Sequence, residues 1–114
     1  MSEDVLMDLE VARRSGGAAI VTIRGELDVS NAHRVKAALA ALGDVALTAI
    51  DLRDVSFIDS TGLNAIALYG RNALRRDASL YVVVTNPAVR KIFAITKLDD
   101  CFPIVESLEE LQLF

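Results

Sequence analysis

The sequence predicts a mixed α/β fold on three observations. Short β-rich runs alternate with segments of helical periodicity, Ser15-Gly16-Gly17 breaks the first two runs into a hairpin, and residues 45–52 form an almost continuous apolar run. At 114 residues the chain has room for one core, so residues 1–114 are read as one domain. Counting the elements gives about five strands in a mixed sheet, covered by about four helices.

Each element has its own signal. Val5 to Arg13 begins with partly alternating apolar residues, and Ala18 to Arg24 is rich in branched residues, so the two pair as a hairpin. Ser30 or Asn31 can cap a helix whose Val35, Ala38, Leu39 and Leu42 repeat at i, i+3, i+4 and i+7, with Gly43 as its stop. Val45 to Leu52 reads as a central strand covered on both sides. The next helix runs from Ser60 to about Asp77, with Leu63, Ile66, Ala67, Gly70 and Leu74 on its inward stripe. Asn64, Leu68, Arg71 and Arg75 take the opposite side. Leu80 to Thr85 is a further strand, and Asn86-Pro87 opens a helix with Val89, Ile92 and Phe93 on its core face. Phe102 to Val105 is a last short strand, and Ser107-Leu108-Glu109-Glu110 has capping-box spacing for a fourth helix.

Composition removes several classes of function. A formal net charge of −4 offers no broad cationic field for a phosphate backbone, which argues against direct nucleic-acid binding, and the Arg71, Arg75 and Arg76 cluster reads as a solvated helix face. The N-terminus begins acidic, without the basic and apolar regions of a signal peptide. No apolar stretch approaches the ~20 residues of a membrane span, so a cytoplasmic location without membrane insertion is expected. One cysteine and one histidine cannot build a disulfide or a clustered Cys/His metal site; no metal and no cofactor is expected, and Cys101 is assigned to the core. An enzyme using Ser60 as nucleophile would need an activating base, yet the single histidine, His33, reads as a surface helix residue and no Gly-x-Ser-x-Gly elbow surrounds Ser60. The chain is therefore read as a non-enzyme.

The chemistry concentrates in Asp51-Leu52-Arg53-Asp54-Val55-Ser56-Phe57-Ile58-Asp59-Ser60-Thr61-Gly62-Leu63, where a buried strand passes through a polar turn into a helix. Hydroxyls at a helix start can accept bonds from unpaired N–H groups, and the helix dipole favours added negative charge. A phosphate on Ser60 is thus compatible with the fold, while beside Asp59 it adds like charge to any surface that a partner approaches.

This segment resembles the phosphorylation motif of the STAS-domain anti-sigma factor antagonists. Gly25-Glu26-Leu27-Asp28 and Asn86-Pro87-Ala88-Val89-Arg90-Lys91-Ile92-Phe93 match two further parts of that family, so the resemblance spans nearly the whole chain. It implies partner switching: the unphosphorylated antagonist binds an anti-sigma factor that is also a serine kinase, and a sigma factor is released. The kinase then phosphorylates the serine after the motif's aspartate, here Ser60, and a separate phosphatase restores it. The resemblance places the Glu26 and Asp28 loop beside the phospho-site. With Asp59, Thr61, Gly62 and the outward Asn64, Leu68 and Arg71, that loop forms the expected partner face. Asn64 stands where many relatives have a second glycine.

Plainer roles compete at each position. Ser60 and Thr61 can act as caps, Asp59 can orient the turn, Gly62 can relax the first helical turn, and Leu68 can pack under a neighbouring helix. A second function shares the fold: a non-switching STAS subunit of a larger assembly, such as a lipid-transport complex or a stress-signalling scaffold, would use the same helix face for permanent docking.

Overall fold

The computed structural model describes residues 7–111 and shows a five-stranded sheet in the order β1-β2-β3-β4-β5. Strand β1 (Met7–Arg14) and strand β2 (Ala18–Leu27) form the expected antiparallel hairpin, closed at Arg14 and Ala18 by a turn in which Gly16 and Gly17 have φ of +81° and +78°. Residues 5 and 6 of the predicted first strand lie outside the described residues. Strands β3 (Leu47–Ile58), β4 (Ser79–Val83) and β5 (Ile104–Val105) add in parallel, each joined to its predecessor through helical segments.

Helices α1 (Ala32–Ala40), α2 (Ser60–Arg75) and α3 (Pro87–Ile95) share one core with the sheet. Val21 and Ile23 of β2, Ile50 and Leu52 of β3, and Leu80 and Val82 of β4 meet Val35, Leu39, Ile66, Val89 and Phe93 there. Asn86 caps α3 as predicted, its Oδ1 accepting from Ala88 N at 2.9 Å. Gly70 lies where a Cβ would come within 2.8 Å of the Phe102 ring, which accounts for a glycine on the inward stripe of α2.

Several expectations are corrected. The described residues contain three α-helices, and the predicted fourth is a single 3₁₀ turn, Leu108–Leu111. Glu110 folds back as a capping-box acid would, but its carboxylate accepts from Glu106 N and the Ser107 hydroxyl, fixing one tight turn. Strand β3 does not stop at Leu52. Asp54, Val55, Phe57 and Ile58 pair with the end of β2 across two register shifts, with exposed Arg53, Asp54 and Ser56 supplying the polarity that suggested a turn while Val55 and Ile58 are buried. Leu74 is 52% exposed because Ala73 takes the inward place on the last turn of α2. Cys101 is exposed in the bend after a short 3₁₀ turn (Leu98–Asp100), where Leu98 and Phe102 fill the core on either side of it.

Asp51 and Arg53, in the first half of the motif, have a structural task. Asp51 is buried, and its carboxylate accepts from Arg53 N, Nε and Nη2 at 2.9–3.0 Å. These hydrogen bonds hold the Arg53 guanidinium pKa above its ordinary value and satisfy a carboxylate that would otherwise be costly to bury.

Candidate functional site

The site forms where the C-terminal ends of β2 and β3 lie side by side. Leu27 and Ile58 are register partners, reached after two irregularities between β2 and β3, and each strand then leads into a helix. The short connections between strand and helix therefore lie next to each other.

Asp59 joins the two connections. Its Oδ1 accepts from Gly62 N at 2.9 Å, making Asp59 the N-cap of α2, and its Oδ2 accepts from Val29 N at 3.0 Å in the β2–α1 loop. Its backbone N–H donates to Leu27 O at 3.1 Å. Both carboxylate oxygens are engaged, so orientation of the turn is the role on view, and the cap falls to Asp59 instead of Ser60.

The β2–α1 loop is ordered from within. Asp28 Oδ1 accepts from both the backbone and the hydroxyl of Ser30, while buried Asn31 accepts from Asp28 N and donates to Glu26 O at 2.8 Å. Asn31 occupies the N-cap position of α1 but gives no capping bond, because its side chain is turned back into the loop. Sequence reasoning treated Asn31 only as a cap and passed over Val29, which is 72% exposed on this loop. The polar Asp28-x-Ser30-Asn31 spacing was the available signal for a side-chain-bonded turn.

Ser60 begins α2, is exposed, and makes no side-chain hydrogen bond among the described residues. Thr61 is half-buried. Gly62 is corrected from a surface contact to a packing position: it is buried, and a Cβ there would stand 2.6 Å from Leu27 Cγ and 3.0 Å from Leu27 O. Glycine is what lets the first turn of α2 close onto β2.

The outward side of α2 divides between two shallow clefts of about 200 Å³ each. Ser60, Asn64 and Arg71 line one, with Thr96 and Leu98 on its far wall; Leu68, 45% exposed, lines the other against Leu39 of α1. Glu26 and Asp28 are half-buried at the margin, brought to the turn by the Val29–Asp59 bond. Apart from buried Gly62, these residues lie around the two connections and along the outward side of α2. His33 is exposed on α1, as its assignment to the surface required. No helix among the described residues is long and apolar enough to cross a membrane.

Several proteins similar to this chain are named anti-sigma factor antagonists. The chain is 28% identical over 100 residues to an anti-sigma-B factor antagonist of Listeria monocytogenes, covering 86% of this chain and 88% of that protein, and it matches the anti-sigma-B factor antagonist of Listeria innocua equally well. The crystal structure of an anti-sigma factor antagonist from Mycobacterium paratuberculosis superposes with a TM-score of 0.85 at 28% identity, over 96% of this chain and 94% of that one. The STAS domain model matches residues 11–111, which include every element from within β1 to the last 3₁₀ turn. By that match, across a fold whose two loops and α2 build the site described above, the chain belongs to the STAS domain family.

Proposed function

We propose that this protein is an anti-sigma factor antagonist whose unphosphorylated form binds an anti-sigma factor, and that phosphorylation of Ser60 switches the binding off. The observation that carries the proposal is the contrast between two adjacent residues. Asp59 spends both carboxylate oxygens in holding the turn, whereas Ser60 presents an uncommitted hydroxyl to solvent at the first position of α2. A kinase can reach that hydroxyl without breaking the fold, and the positive end of the helix dipole accommodates the phosphate. The names of the relatives and the family membership support the same reading.

Switching then follows from charge. A phosphate adds nearly two negative charges beside Asp59, on a margin that already carries Glu26 and Asp28. A partner surface shaped to contact this turn, together with Asn64, Leu68 and Arg71, meets a charged and hydrated group in place of a small hydroxyl. In this reading the anti-sigma factor is itself the serine kinase, a separate phosphatase removes the group, and the exchange takes place in the cytoplasm.

Incubating the protein with candidate anti-sigma kinases and ATP, then mapping the phosphate by mass spectrometry, tests the assignment. One phosphate at Ser60 is the expected result, with the Ser60→Ala variant unmodified. Stoichiometric modification of Thr61 with Ser60 untouched would sink it.

A further inference from the structure

Among the described residues no strand pairs with the outer edge of β1, and its sequence suits a copy of itself. Among the described residues β1 pairs only with β2, in a continuous eight-residue register with no bulge. It contains no proline, and its four charged residues, Asp8, Glu10, Arg13 and Arg14, are of both signs, so they repel a copy only in some registers. Val11 at its centre is 41% exposed, and Arg14 makes no ion pair among the described residues.

From this edge we infer that two copies of the chain associate through antiparallel β1–β1 pairing centred on Val11, giving a continuous ten-stranded sheet. A two-fold axis perpendicular to a sheet keeps each residue on its own face, so opposed residues must have the same parity and the axis must pass at a residue. Centring on Glu10 would set two glutamates against each other; centring on Ala12 opposes only residues 10–14. Centring on Val11 opposes residues 8–14 and places Asp8 against Arg14, Leu9 against Arg13 and Glu10 against Ala12, each twice, and Val11 against itself. This register gives the longest overlap with no like charges opposed, and it supplies Arg14 with an acid.

The inward partners of the strand are undisturbed by such pairing. Arg13 already donates to the carbonyls of Ala41 and Leu42 across the helix face, and Arg24 bonds both Asp8 and Glu10 on the other face. Ser60 follows β3, and β2 stands between that strand and β1.

Sedimentation equilibrium on the whole protein tests the pairing. The wild type should show a weak, reversible dimer. Arg14→Asp sets aspartates against each other at both ends of the register, and Asp8→Arg does the same with arginines, so each variant alone should associate at least about tenfold more weakly. Asp8 is an exposed member of its ion pair, and Arg24 keeps Glu10, so folding should survive and circular dichroism checks it. An equimolar mixture of the two variants again opposes unlike charges at both end pairs, and association should return to about the wild-type level. A wild type that stays monomeric at millimolar concentration overturns the inference. So does a mixture that associates no better than its components, or a dimer indifferent to both substitutions.

Discussion

Gly62→Ala should lower stability by about 2 kcal/mol, equivalent to a fall of about 10 °C in Tm. The added methyl would stand 2.6 Å from Leu27 Cγ and 3.0 Å from Leu27 O, and neither atom is the free end of a flexible chain. Leu27 is fully buried at the end of β2, so relief requires α2 to lift away from the sheet. That movement would also strain the Asp59–Val29 and Asp59–Gly62 hydrogen bonds, which depend on the same approach. Thermal denaturation of Gly62→Ala, Leu27→Ala and the double variant checks the cause. Truncating Leu27 makes room for the methyl, so the double variant should lose less than the sum of the single losses. Simple additivity would place the strain elsewhere.

Leu68→Asp should act in the opposite sense, weakening the anti-sigma partner complex about 30-fold while leaving Tm almost unchanged. Leu68 is 45% exposed and lines the α1–α2 cleft beside Leu39, Ala65 and Tyr69, an apolar recess that a partner side chain can fill. A carboxylate at the mouth of that recess would have to be desolvated on binding, a loss of about 2 kcal/mol for a central contact. In the free protein it stays hydrated, and a surface substitution of this kind usually changes stability by less than about 0.5 kcal/mol. Titration calorimetry and a melting curve separate the two effects. A large fall in Tm with unchanged affinity would assign Leu68 to the fold and move the interface away from this cleft.

The sequence made the fold legible where one physical cause governed each element. The branched residues of β2, the apolar run that opens β3 and the Asn86-Pro87 start of α3 each have a local signature, and each element appears within a few residues of its expected bounds apart from the far end of β3. Arg53, Asp54 and Ser56 look like turn residues until β2 is present to pair with Asp54, Val55, Phe57 and Ile58, so the extension of β3 to Ile58 has no local signal. Cys101 misled in the same way. Burial of a cysteine is a statistical tendency, while its exposure here follows from Leu98 and Phe102 occupying the core around it.

The candidate site was legible as a set of residues but not as an arrangement. The aspartate and serine of the motif could be named from the sequence, yet which of them caps α2 depends on a carboxylate reaching Val29, thirty positions away in the chain. Gly62 likewise shows its role only against Leu27, a contact between distant segments that spacing along one helix cannot reveal.

The central claim, that the charge state of Ser60 decides partner binding, is tested most directly by one pair of titrations. The anti-sigma factor would be titrated with the unmodified protein and with the same protein carrying a single phosphate on Ser60, with circular dichroism spectra recorded for both. The account predicts tight binding of the unmodified form, a loss of at least about 100-fold on phosphorylation, and superimposable spectra. Equal affinity of the two forms would contradict it.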